Sequence, residues 1–346
     1  RIFTIDLTLA CSYMSFSDDG GESWVTNPLS CGRAVNDHQT LFTGPPASTP
    51  MPVYPHIVYY CWNDVGTSSC SKSIDGGATF HPTGAPAFGG AEPGSQDPGF
   101  YGVGGFCGGL HGHGAVAPNG TVYLPREFCG KPMLAISHDE GRSWEQVEVS
   151  KIRSISQPKE GAGHPSVVVD DKGNVYYMWV SAGNRLPYLS VSKDEGKTWS
   201  KPVMVAPPGV RETNLPQIDA RGNGEIAMVY YGSFNSPYPK CKDKCDSRDY
   251  QKTTWNAYVT ISADALDNDP TFYSGAVAGS DPLVRGECGP GRCHWPYDFI
   301  DVEIGSDGIA YGAFVDGCMK GCTEVAPREG DYEGLVTKLV GGPRLD

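Results

Sequence analysis

A short phrase recurs along this chain: a serine, an acid two residues on, a glycine two further, then a hydroxyl residue and an aromatic. Ser17, Asp19, Gly21, Ser23 and Trp24 form the first copy, and Ser73, Asp75, Gly77, Thr79 and Phe80 the second. Ser137, Asp139, Gly141, Ser143 and Trp144 form the third, and Ser192, Asp194, Gly196, Thr198 and Trp199 the fourth. A worn fifth keeps Ser262 and Asp264, then Thr271 and Phe272, without the glycine. Internal repetition at a long period constrains a fold more than any single motif. The phrase describes a tight turn pinned by its own side chains: Asp accepts from nearby amides, Gly takes the left-handed conformation, and the hydroxyls close the loop. The closing ring is expected to pack down between neighbouring strands.

The closing aromatics stand at 24, 80, 144, 199 and 272, so the steps are 56, 64, 55 and 73 residues, each room for four short strands and their turns. The 74 residues after Phe272 make one further step. A second pattern runs half a step out of phase: an apolar strand, a glycine turn and another apolar strand, beginning at Gly114, Pro165, Pro216 and Phe299. These are read as the two inner strands of blades three to six. The spacing therefore predicts an all-β chain of six four-stranded antiparallel repeats, residues 1–346 forming a single domain, and the resemblance of the phrase to the Asp box implies that these repeats are the blades of a six-bladed β-propeller with four-stranded antiparallel blades. The first blade has no room for an innermost strand before Ser17; either upstream residues were removed or the segment from Val340 to Leu345 completes it.

The phrase S-x-D-x-G-x-[ST]-[WF] resembles the Asp box, or BNR repeat, of the sialidase-like β-propeller superfamily. The resemblance implies that each box joins the outer two strands of a blade, away from the ligand funnel, and so carries no chemistry itself.

Twelve cysteines come as close neighbours, and six sequential disulfides are expected: Cys11–Cys31, Cys61–Cys70, Cys107–Cys129, Cys241–Cys245, Cys288–Cys293 and Cys318–Cys322. The rival reading is zinc held by the pairs at 241/245 and 318/322. Disulfides point to a secreted, extracellular protein, and with no leader at Arg1 the chain reads as mature or trimmed. Asn119-Gly120-Thr121 is an acceptor for N-glycosylation in a source that makes such glycans. No apolar run reaches the roughly 20 residues of a membrane span. A net charge of −13 disfavours nucleic acid and anionic membranes as partners, leaving a glycan, a small carbohydrate or a protein assembly. No cofactor is expected.

Chemistry is expected in the loops entering the inner strands. These hold His111 and His113 in blade three, Glu160 and His164 in blade four, and Arg211, Glu212 and Asn214 in blade five. In blade six they hold His294, Trp295, Tyr297 and Asp298. A sialidase, as the resemblance implies, needs arginines gripping a carboxylate, a Tyr nucleophile primed by a Glu, and an Asp as acid and base. Arg126, Arg211 and Arg285 are the expected grips, Glu212 the primer, Tyr297 the nucleophile and Asp298 the acid. The superfamily's Arg-Ile-Pro signature is not reproduced, since Arg1-Ile2-Phe3 lacks the proline. Two alternatives use the same residues differently. A uronate-polysaccharide lyase would draw on His111, His113, His164, His294 and Tyr297 for neutralisation and proton abstraction, and His111-x-His113 could also face a metal from one side of a strand. A non-catalytic propeller would bind a glycan or pack into an extracellular assembly.

Overall fold

In the computed structural model, strands account for nearly all the regular structure. It describes residues 1–7, 11–31, 37–48, 53–64, 67–89, 109–155, 164–241, 244–245, 247–277, 281–286, 300–318 and 333–345. Six antiparallel sheets follow one another along the chain, the sheet count of a six-bladed propeller. They divide between two compact units, residues 1–129 with 133–149, and residues 130–132 with 150–346.

The first unit holds three sheets. One is β1 (Ile2–Leu7), β2 (Cys11–Ser17) and β3 (Val25–Cys31). The next is β4 (Asp37–Gly44), β5 (Ile57–Asn63), β6 (Ser68–Ser73) and β7 (His81–Pro82). The third is β8 (Ala115–Val116), β9 (Val122–Phe128), β10 (Lys131–Ser137) and β11 (Glu145–Glu148).

The second unit opens with β12 (Ser166–Val169), β13 (Val175–Val180), β14 (Pro187–Ser192) and β15 (Val203–Met204). Its middle sheet is β16 (Glu212–Arg221), β17 (Glu225–Ser233), β18 (Thr253–Ser262) and β19 (Tyr273–Ala276), with β20 (Val284–Gly286) also pairing β18. Two single-turn helices, α1 (Tyr238–Cys241) and α2 (Ser247–Tyr250), interrupt the connection from β17 to β18. The last sheet is β21 (Asp301–Ile304), β22 (Ala310–Asp316) and β23 (Glu333–Lys338).

In the four central sheets the second strand is the most buried. β5, β9 and β13 are buried at every position, which is why β5 and β13 read as nearly continuous apolar runs rather than alternating ones, while β9 buries Arg126 and Glu127 among its apolar residues. Neighbouring sheets share cores: Tyr176 and Met178 pack with Ile226, Met228 and Tyr230, and Val229 and Tyr231 with Val302 and Phe314. In the first unit Cys61 and Leu124 are packed in the same way.

The repeated phrase is the corner between the last two strands of a sheet. At the third corner, Ser137 Oγ accepts the Gly141 N–H at 2.8 Å and donates to Asp139 Oδ1 at 2.8 Å. Asp139 also accepts the Ser143 N–H at 2.9 Å and its hydroxyl at 2.6 Å. The same bonds recur in the first, second and fourth copies. In the fifth, Asp264 reaches across a longer loop to the Thr271 N–H at 2.8 Å. The closing ring is less uniform than expected: Trp199 packs edge-on to Tyr177, whereas Trp24 is 43 % exposed and donates its indole N–H to Gly21.

These bonds depress the carboxyl groups. Thr198 and Ser192 hold Asp194 down to about 2. Burial works against the charge of Asp75, but its bonds to Thr79 and Ser73 outweigh that and hold it at about 2. A carboxyl held lower in the folded chain than in the unfolded one stabilises fully above its unfolded value, about 3.9, and loses that contribution as pH falls through the folded value. The melting temperature is therefore expected to fall steadily between about pH 4 and pH 2. A flat profile over that interval would contradict it.

In the four intact copies the residue after the box Asp is also left-handed: Gly20, Gly76, Glu140 and Glu195, with φ of 76°, 73°, 60° and 63°. Two copies relieve the strain with glycine, and two do not. Glu195→Gly is expected to stabilise the protein by about 0.5–1 kcal/mol. Chemical denaturation measures this, and a loss of stability would show the Glu195 side chain to matter more than its backbone.

Cys61–Cys70 joins directly opposed residues of β5 and β6, and Cys241–Cys245 closes the loop between α1 and α2. Cys11, Cys129 and Cys318 are disulfide-bonded as well, and Cys11 stands opposite Cys31 in the β2–β3 register. The bonded Cys241–Cys245 pair removes the zinc reading there. Cys107, Cys288, Cys293 and Cys322 lie outside the described residues. Residues 340–345 form no strand; Leu345 is fully buried in the core of the last two sheets and its N–H donates to Gly308. No helix among the described residues is long and apolar enough to cross a membrane.

Candidate functional site

Glu212 is the first residue of β16. The backbone there is fixed from both sides, since the Arg211 N–H donates to Ser233 and the Thr213 N–H to Arg185. After β17 the chain runs from Ser233 to Thr253 before β18 begins, far longer than the turn from Val180 to Pro187 in the preceding sheet. This insertion folds over Glu212. Ser236 begins it, accepting the Tyr238 N–H at 3.1 Å as a cap for α1, and α2 ends it at Tyr250.

Both carboxylate oxygens of Glu212 are met. The Ser236 hydroxyl donates to Oε2 in a short hydrogen bond, and the Tyr250 phenol donates to Oε1 at 3.1 Å. Glu212, Ser236 and Tyr250 are 2 %, 1 % and 7 % exposed. Burial pushes the Glu212 carboxyl up, against the opposing pull of Ser236, the Arg185 charge and Tyr250. Burial and the neighbouring Glu212 charge likewise push the Tyr250 phenol up. A carboxyl poised toward neutrality and bonded to a phenol can take that phenol's proton.

Arg185, on the turn from β13 to β14, is buried with its guanidinium 4.7 Å from the Tyr238 ring centre. Its Nε and Nη1, and Nδ2 of buried Asn214, have no hydrogen-bond partner among the described residues.

The other expected site residues are distributed as follows. Arg211 is exposed, and Arg285 is half-buried on β20. His164 is half-buried just ahead of β12. In the first unit His111 is fully buried, bridged through its backbone to Arg126, and its ring lies edge-on to His38 with centres 6.0 Å apart. Arg126 is buried over Phe128 and donates to Ser68 at 2.9 Å, and burial lowers its pKa to about 10. His113 is half-buried. Among the described residues no three His, Cys, Asp or Glu side chains come together as metal ligands would. Tyr297, Asp298, His294, Trp295 and Glu160 lie outside the described residues.

Of the expected set, then, Glu212 has the chemically suggestive surroundings, and its partners Tyr250, Ser236 and Arg185 escaped sequence reasoning. The long insertion between two strongly apolar strands was the available signal.

No family model and no curated protein sequence matches the chain. Solved structures do. A protein of unknown function from Dyadobacter fermentans is 13 % identical, with 95 % of this chain and 83 % of that one covered and a TM-score of 0.53. The intramolecular trans-sialidase of Ruminococcus gnavus, solved with oseltamivir carboxylate, is 9 % identical, with 94 % and 87 % covered and a TM-score of 0.50. The NanB sialidase of Streptococcus pneumoniae is 17 % identical over 64 % of this chain, with a TM-score of 0.42, and this chain spans about a third of it, 32 %. At such identities the likeness is one of fold alone: this chain shares the β-propeller architecture of these proteins.

Proposed function

We propose that this chain is a secreted, carbohydrate-active enzyme, a sialidase-like glycoside hydrolase whose reacting pair is Tyr250 and Glu212. The observation that carries the reading is the bond from the Tyr250 phenol to Glu212 Oε1 at 3.1 Å. Sialidases are recognised for using a tyrosine nucleophile in place of the usual second carboxylate. The phenol oxygen bonds to the anomeric carbon as its proton passes to Glu212. The bond to the leaving oxygen breaks, and that oxygen takes a proton from an acid, the role the resemblance assigns to Asp298. Water then attacks the anomeric carbon and gives a proton to that acid, while Glu212 returns its own to the departing phenolate. The proton ledger closes over the two steps. The disulfides support an oxidising, extracellular setting.

The test is a panel of fluorogenic glycosides that includes a sialoside, with product configuration followed by NMR. Hydrolysis with retention at the anomeric carbon is expected. An unsaturated uronate product, seen by its ultraviolet absorbance, would replace this reading by the lyase, and no turnover of any glycoside would leave a binding propeller.

A further inference from the structure

Arg185 has a backbone that a side chain resists, with φ of 59° in a residue that is not glycine, and it is only 7 % exposed. Such an outlier persists only where its surroundings over-determine it. Here they do. The Arg185 N–H donates to Ser181 at 2.9 Å, and its carbonyl accepts both the Thr213 N–H at 2.8 Å and the Thr213 hydroxyl at 2.9 Å. Thr213 is the residue that follows Glu212. The guanidinium sits over Tyr238, whose phenol donates to Ala182 on the same turn at 2.9 Å. The Tyr238 N–H donates to Ser236, and Ser236 donates to Glu212. The contacts form a closed circuit: from Arg185 by its carbonyl to the strand of Glu212, and by its ring contact through Tyr238 and Ser236 to the carboxyl itself.

We propose that Arg185 is a positioning residue for Glu212, holding the strand at Thr213 through its carbonyl and supplying, from its seat on Tyr238, the positive charge that keeps the carboxyl ready to receive a proton. This deepens the reading of Glu212 as a base and rests on it. Among the described residues, the groups acting on that carboxyl are Ser236 and Tyr250 from the covering segment and Arg185 from the β13–β14 turn, while Arg211, just ahead of β16, is exposed. Burial drives the carboxyl toward its neutral form, and the Arg185 charge opposes that. Without the charge, Glu212 keeps its proton to a higher pH, and a base that must be ionised then becomes active later as pH rises.

Arg185→Gln is expected to move the acidic limb of the rate profile upward by about one pH unit and to lower kcat with KM little changed. Arg185→Lys keeps the charge and is expected to restore most of the limb position. A second readout needs no substrate: the infrared C=O band of Glu212, identified by its disappearance in Glu212→Gln, should persist to higher pH in Arg185→Gln. If Arg185→Gln does not fold, Tyr238→Leu removes the seat while sparing the Thr213 contacts, and the same band and limb should shift. A limb and band unmoved by these changes would overturn the inference. Full activity of Glu212→Gln would instead overturn the reading of the site, an outcome the infrared titration separates.

Discussion

Tyr250→Phe is expected to lower kcat by about 10³-fold on any glycoside the protein hydrolyses, since the substitution removes the nucleophilic oxygen and leaves the ring. Glu212→Gln is expected to lose a similar factor, because an amide accepts no proton there. Ser236→Ala, which removes a donor that orients Glu212 and leaves the Tyr250–Glu212 bond in place, should cost less, about 10-fold. Tyr297→Phe is the informative comparison. The resemblance gives that residue the nucleophile's role, and the function proposed above gives it to Tyr250. Retained activity in Tyr250→Phe together with its loss in Tyr297→Phe would return the role to Tyr297. Circular dichroism keeps the comparison clean, since a Tyr250 variant that loses one hydrogen bond to a buried carboxyl should lose only about 1–3 kcal/mol of stability.

A large effect on stability is expected at Lys72. Its Nζ lies 2.7 Å from Glu140 Oε2, with the two side chains 17 % and 10 % exposed. The other carboxylate oxygen of Glu140 accepts the Ser48 hydroxyl at 2.7 Å and its N–H at 3.1 Å. Lys72 belongs to β6 and Glu140 to the third pinned corner, so the pair staples the second sheet to the third. Removing one member of this partly buried pair leaves the other without its charge partner, and Lys72→Met is expected to cost about 1–3 kcal/mol. Lys72→Met with Glu140→Gln should recover more than half of the loss, because no charge is then left without its partner. Burial works against the Glu140 charge, but Lys72 and Ser48 outweigh it and hold the carboxyl below its ordinary range. The pair's contribution is present above the unfolded value, about 4.3, and lost as pH falls through the lower folded one. The difference between Lys72→Met and the parent protein should therefore shrink on acidification. Urea unfolding at pH 7 and pH 3 measures it, and an equal gap at both would show that packing, not charge, holds the joint.

The box phrase was legible because every bond in an intact copy joins residues two to four apart, as between Ser137 and Gly141 or Asp139 and Ser143. Side chains that close their own turn need no distant partner, so four intact copies disclosed corners, sheet count and fold class before any contact between sheets was known. The adjacent cysteines were readable for the same reason: Cys61 and Cys70 face each other across one hairpin. Locality also bounded what could be read. Glu195 is left-handed although its letter does not announce it, and Trp24 is exposed although its counterpart Trp199 packs on Tyr177.

By itself the sequence determined that this protein is built of repeated antiparallel sheets with pinned corners, and that Glu212 stands where an inner strand begins. Only the tertiary structure decided what Glu212 meets. Tyr250 is 38 residues away, Ser236 is 24, and Arg185 and Thr213 lie 28 apart. Such partners are chosen by how an irregular insertion folds over a strand end, where no periodicity governs which side chains converge. A turn encodes itself, whereas the surroundings of a buried carboxyl are set by packing between elements.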